Sequence, residues 1–173
     1  LLDLWAARPL GPPLDAAGNW AADGAAIPEL LERMLREPYF ALAPPKSTGR
    51  DRCNAEWLEG MFRGGEDAQS VQATLLELTA RSVADAISRH CRGARRVIVC
   101  GGGAKNTALM RRLAERVSPA TLDGSDHFGF DPQLVEAAAF AWLAKRALAG
   151  LAGNLPSVTG ARGPRVLGAV YPA

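Results

Sequence analysis

The stretch VIVCGGGAKN, Val97 to Asn106, decides the fold. Four apolar residues run straight into three glycines. Apolar residues then recur at helical spacing, at Leu109, Leu113 and Val117. A continuous apolar run without alternation predicts a buried strand of the parallel type. A glycine-rich turn between such a strand and a helix sits at the carboxyl end of the strand, where doubly wound α/β folds bind ligands. Glycine permits a positive φ and a close approach to the backbone, and the helix start adds oriented N–H groups. The spacing is neither GxGxxG nor a Walker loop. Two readings stay open: a ligand passes over Gly101, Gly102 and Gly103, or the turn needs glycine for packing alone. Asn106 is likewise either a ligand contact or a helix N-cap.

On the C-terminal side, ATLD (Ala120–Asp123) reads as a short strand and GSDHFGFDP as a loop. Asp131 and Pro132 predict a helix start, with aspartate as N-cap and proline in the first helical position. That helix should run to about Leu148, stopped by Gly150. It is apolar nearly all round and is therefore expected to be buried. A Gly/Pro-rich loop follows, then a last strand from Val166 to Tyr171. On the N-terminal side, a long helix begins after Asp67, with Val71, Leu75, Leu78, Ser82, Ile87 and Cys91 on one face. Before it come a short helix over residues 55–62, the loop LAPPKSTGRD, and a helix from Ile27 to Arg36 ended by Pro38. LDAAGNWAADG reads as a loop punctuated by Gly18 and Gly24. The opening LLDLW reads as an amphipathic helix already under way, broken by Pro9, Pro12 and Pro13. The chain also begins without Met, and a fragment of a longer protein is expected. Helices dominate, with two or three strands in strand–helix–strand order, which predicts an α/β class. So small a sheet suggests further strands upstream.

Composition narrows the function. With 173 residues the chain can bury one sizeable core. A net charge of +2 gives no footprint for nucleic acid. No apolar run reaches the roughly 18 residues of a membrane span, and LLDLWAARPLGPP lacks the basic leader of a signal peptide. The three cysteines, Cys53, Cys91 and Cys100, form no CxxC pair, which argues against a disulfide framework or a zinc site. The expected compartment is a reducing cytoplasm.

Few side chains outside the glycine turn invite chemistry. Glu136 lies on an otherwise apolar helix, with Phe140 and Leu143 on the same stripe. A carboxylate there needs a partner, such as an arginine from another segment, or a functional role. In PPKSTGRD, Lys46, Ser47, Thr48 and Arg50 could meet an anion or form a solvated turn. His90 and His127 lack metal-ligand spacing. Asp123 and Asp126 flank Gly124 either as turn formers or as paired metal ligands. Trp5, Trp20, Trp57 and Trp142 read as packing residues rather than a sugar platform.

The blocks PPKSTGRD, VQATLLELTARSVADAI, VCGGGAKNTALMRRL, VEAAAFAWLAKRALAG and GNLPSVTGARGPRVLGAVYPA, in that order, resemble the C-terminal half of the anhydro-N-acetylmuramic acid kinases. EAAAFAWLA and GNLPSVTGA are the distinctive pieces. Cys53 departs from the aromatic residue expected after STGR. The resemblance implies a ribonuclease-H-like, actin-like ATPase fold, of which this chain is the helix-rich C-terminal lobe with an incomplete sheet. Residues 1–50 would be a loop-rich region between lobes and 51–173 the nucleotide-binding α/β core. The family uses ATP with Mg²⁺, opens the anhydro ring of a cell-wall sugar with water, and phosphorylates its 6-position in peptidoglycan recycling. Gly101, Gly102, Gly103 and Asn106 would line the nucleotide site, Glu136 would contact the sugar, and DAAGNWAADG would lie near the active site. The phosphate-binding GTSxDG segment and the catalytic aspartate of a DTGPGN-like stretch would precede Leu1, so no catalytic residue is expected here and the chain alone should be inactive. A homodimer is a further expectation. The competing readings are a nucleotide-binding module without chemistry and a related kinase for another sugar.

Overall fold

The computed structural model describes residues 1–10, 15–49 and 51–171. Its order is α1 (Leu2–Leu10), a 3₁₀ turn (Ala16–Gly18), α2 (Asn19–Ala22), α3 (Pro28–Leu35), α4 (Pro38–Ala41), α5 (Ala55–Glu59), α6 (Ala68–His90), β1 (Arg96–Val99), a 3₁₀ turn (Gly102–Lys105), α7 (Thr107–Val117), β2 (Thr121–Gly124), a 3₁₀ turn (Ser125–Phe128), α8 (Val135–Leu148) and α9 (Pro156–Thr159). This is a helix-rich α/β arrangement around a two-stranded parallel sheet, in which Val97 pairs with Leu122 and Val99 with Gly124.

Helix α6 is the axis. The Asp67 carboxylate accepts from the Ser70 N–H at 2.9 Å and caps it. That bond and its backbone neighbours hold the Asp67 carboxyl below its ordinary range. One face of α6, carrying Val71, Leu75 and Leu78, packs with Leu30, Leu31 and Met34 of α3 and Leu58 of α5. Its opposite face, Leu76, Ala80 and Ala84, packs with Ala108, Leu109, Leu113 and Val117 of α7, and Val97, Val99 and Leu122 of the sheet close that layer. A single stripe was expected. The helix has two because short residues, Ala73, Ala80 and Ala84, let a second layer approach.

Other expectations change. LDAAGNWAADG is not a plain loop: it holds a 3₁₀ turn and α2, since Asp15 supplies a cap that Gly/Ala composition alone does not reveal. Residues 1–50 carry α1 to α4, and α1, α2 and α3 pack on α6. Helix α1 continues through Pro9 to Leu10, because a proline near a helix end forfeits little; Pro12 and Pro13 lie outside the described residues. Pro132 to Leu134 form a turn, and α8 starts at Val135, three residues beyond Pro132. The Asp131 carboxylate accepts from Gln133 N–H at 2.8 Å and its carbonyl from Leu134 N–H at 2.9 Å, closing that turn first. Glu136 therefore lies in the first turn of α8 rather than past it.

Strand β1 is not buried on both faces. Val97 and Val99 are half-buried toward α7, whereas Ile98 is 52% exposed, because the other face of the sheet has no layer over it among the described residues. For the same reason α8 is not buried: Phe140, Trp142 and Leu148 are exposed, and no described element packs broadly on them. Val166 to Tyr171 forms no strand: it makes no ladder with β1 or β2. The described tail instead folds back through a Gly153 N–H to Arg165 carbonyl bond of 2.9 Å and lays Leu167 against Leu143 and Ala147.

Candidate functional site

The glycine turn leaves the carboxyl end of β1 and enters α7. Gly101 has φ +80°, a conformation that side chains rarely adopt. Its N–H donates to the Pro132 carbonyl at 2.8 Å, so the turn is tied to the segment that opens α8. Gly102 differs. Its φ is ordinary, and a Cβ built there would meet nothing nearer than Gln133 Nε2 at 4.0 Å. Neither backbone strain nor packing against the protein demands glycine at Gly102. A Cβ built on Gly103 would meet Leu109 at an ordinary 3.7 Å. The turn therefore presents open backbone at Gly102, with no protein atom within 4 Å of a Cβ there other than Gln133 Nε2 among the described residues.

Asn106 is a helix cap: its side-chain oxygen accepts from Leu109 N–H at 2.9 Å. It is also a packing partner. A Cβ on Gly18 would fall 2.1 Å from Asn106 Oδ1, and Gly18 itself has φ +75°. Thr107 Oγ1 donates to the Ala17 carbonyl at 3.1 Å. The 3₁₀ turn at Ala16–Gly18 is thereby clamped to the start of α7, beside the glycine turn.

Behind that clamp sits Asp15, which sequence reasoning passed over. It is 6% exposed. Its carboxylate accepts from Trp20 N–H at 2.9 Å, Ala21 N–H at 3.0 Å and Gln72 Nε2 at 3.3 Å, capping α2 and fastening it to α6. The signal available was an aspartate four residues before Asn19, ahead of a short run of good helix formers.

Glu136, half of the expected site, is exposed on α8 and forms no ion pair among the described residues. The structure brings its helix to the glycine turn through the Gly101–Pro132 bond and Gln133, not through Glu136 itself. Lys46 plays a structural part. Its ammonium donates to the Tyr39 carbonyl at 3.0 Å and lies 4.7 Å from the Tyr39 ring centre. Ser47 and Thr48 are exposed, and Arg50 lies outside the described residues. His90 is exposed at the end of α6, and His127 packs edge-on against Phe128. Asp123 faces Arg96 at 3.7 Å, and no cluster of three or more His, Cys, Asp or Glu among the described residues could hold a metal ion. Trp5 and Trp57 anchor loops, donating to the Ala68 carbonyl and the Glu37 carboxylate.

The whole chain, residues 1–173, matches the family model described as anhydro-N-acetylmuramic acid kinase. It is 54% identical over 174 residues to the protein of that name from Xanthomonas oryzae, with 100% of this chain and 46% of the relative covered. It is 53% identical over 175 residues to the one from Chromobacterium violaceum, covering 99% of this chain and 48% of the relative. For Pseudomonas putida the values are 51% over 175 residues, 100% and 48%. The chain thus spans about half the length of the curated relatives it matches. No helix among the described residues is long and apolar enough to cross a membrane. By its match to the family model along its full length, the chain belongs to the anhydro-N-acetylmuramic acid kinase family.

Proposed function

We propose that this chain is the nucleotide-holding half of an ATP-dependent kinase of 1,6-anhydro-N-acetylmuramic acid, acting in the cytoplasm. The reaction adds water across the anhydro bridge and passes the γ-phosphoryl group of ATP to O6, leaving ADP and the 6-phosphate of the opened sugar. The observation that carries the reading is Gly102, a glycine without a conformational or packing reason at the mouth of a strand-to-helix turn.

The described residues supply positioning. Gly101, Gly102 and Gly103 let the nucleotide lie against the backbone, and the start of α7 turns the positive end of its dipole toward it. Asn106 fixes that helix end, and the Asp15–Gly18 segment braces Asn106 from behind. Glu136, exposed at the start of α8, would reach the sugar. Magnesium would neutralise charge on the phosphates when bound, held largely by phosphate oxygens and water. The base that activates water would come from outside this chain. This lobe would adopt the ribonuclease-H-like plan of actin-like ATPases, with residues 51–173 as its nucleotide core.

Phosphoryl transfer is mostly positioning and charge stabilisation. Half of the positioning groups therefore gives no turnover. A full-length form should convert anhydro-N-acetylmuramic acid and ATP to a 6-phosphate detectable by mass spectrometry, and this chain alone should not. Nucleotide binding without any phosphorylated sugar from the full-length form would move the reading to another substrate.

A further inference from the structure

The space over Gly102 has one protein neighbour within 4 Å, the carboxamide of Gln133. Three bonds fix the backbone that carries it. The Pro132 carbonyl accepts from Gly101 N–H at 2.8 Å. The Asp131 carboxylate accepts from the Gln133 N–H at 2.8 Å, and the Asp131 carbonyl accepts from Leu134 N–H at 2.9 Å. Pro132 is itself buried. The side-chain amide, by contrast, makes no hydrogen bond to the protein among the described residues, although its backbone is held in place. An amide with two free donors, stationed beside a glycine that the protein does not need, suits a ligand oxygen in that gap.

Resting on the nucleotide reading above, we propose that Gln133 is a nucleotide-positioning residue: its Nε2 donates to a phosphate oxygen of the nucleotide lying over Gly102. The loop geometry supports this in a second way. The same turn that positions Gln133 starts α8, so a nucleotide gripped at Gln133 would also steady the helix that carries Glu136. Among the described residues, and apart from the chain neighbours, no other side chain lies within 4 Å of a Cβ built on Gly101 or Gly102, so Gln133 is the side chain placed to meet a ligand over Gly102.

The experiment titrates ATP, ADP and adenosine into the purified chain by calorimetry, for wild type, Gly102→Val, Gln133→Ala and Gln133→Glu. Gly102→Val tests the cradle and should weaken binding of all three by at least about 30-fold. Gln133→Ala should weaken ATP and ADP about 10-fold, the worth of a hydrogen bond to a charged group. Gln133→Glu should weaken them about 100-fold through repulsion of phosphate, while adenosine changes less than about 3-fold. That divergence between nucleotide and nucleoside is a readout which a purely structural role would not produce. All variants should unfold at the wild-type temperature, because Gln133 is exposed. If Gly102→Val weakens binding while Gln133→Ala and Gln133→Glu match wild type for ATP, the cradle stands and the role of Gln133 is overturned. If wild type binds none of the three, the nucleotide reading falls and takes this inference with it.

Discussion

Gly18 and Asn106 are in contact across 88 residues of sequence, and the contact leaves no room for a side chain: a Cβ on Gly18 would lie 2.1 Å from Asn106 Oδ1. That pair joins the first helical layer to the start of α7, and so to the glycine turn. Gly18→Ala must both occupy φ +75° and displace the cap of α7. It should destabilise the chain by about 2 kcal/mol or more, combining left-handed strain with a lost cap. Urea unfolding gives the number, and a change below about 0.5 kcal/mol would show that the two layers are not clamped there.

Asp15 should prove equally sensitive. It is buried, and its carboxylate holds two N–H groups at the start of α2 plus the Gln72 amide. Asp15→Ala leaves these donors unpaired in the interior and should cost about 2–3 kcal/mol. Asp15→Asn keeps one acceptor and should cost less. Equal losses for the two variants would mean that the negative charge, not the acceptor geometry, is what matters.

Glu77 sets an acid limit. It is largely buried on α6 and accepts from Arg112 and Arg116 of α7. Burial alone would raise its carboxyl, but the two guanidinium groups outweigh burial and hold it below the ordinary carboxylate range. A carboxyl depressed in the folded state contributes stability that is full above its unfolded value, near pH 4.3. That contribution is lost as pH falls through the lower folded value. Stability should therefore drop below about pH 4 in wild type. Glu77→Gln should be about 2 kcal/mol less stable at pH 7 and show a shallower acid decline. Parallel pH profiles for the two proteins would remove Glu77 from the acid transition.

The elements that sequence patterns expose well are those whose signals are local. Asp67 and Asn106 both cap helices where a polar residue precedes an apolar stripe. The strand over residues 96–99 follows from a short apolar run beside a glycine turn, ATLD overlaps the second strand over residues 121–124, and their parallel pairing follows from the helix between them. What failed was inference about neighbours. The apolar girth of α8 says that the helix can be covered, not what covers it, and Phe140 stays 64% exposed among the described residues. Val166 to Tyr171 has strand-like composition but does not join the β1–β2 sheet. The site divides the same way. Three adjacent glycines announce a backbone approach, and the structure adds that Gly101 needs its φ while Gly102 needs nothing from the protein. Asp15 stayed hidden because its role depends on a contact 57 residues away in sequence, with Gln72.

The apolar surface of α8 gives a further expectation. Phe140, Leu143, Ala147 and Leu148 line an open groove of about 480 Å³ with Leu167 and Val170. Unprotected surface of this kind drives association. The chain alone should self-associate at micromolar concentration and bind an apolar dye. Phe140→Glu should reduce both without lowering the stability of the α6–α7 core, as read by sedimentation and urea unfolding. Monodisperse wild-type protein without dye binding would show that the groove is closed in solution.

The central claim is that the glycine turn holds ATP for phosphorylation of an anhydro sugar. It is tested most directly by steady-state kinetics on a full-length form, wild type against Gly102→Val, with anhydro-N-acetylmuramic acid as acceptor. Gly102 is not in the left-handed region, and a Cβ there meets no atom nearer than Gln133 Nε2 at 4.0 Å among the described residues, so the fold should tolerate the change. The account predicts an ATP KM raised at least about 30-fold, close to 2 kcal/mol of lost binding, with the sugar KM nearly constant. An unchanged ATP KM in a folded, active variant would contradict it, and would leave the three glycines as a turn with no nucleotide over it.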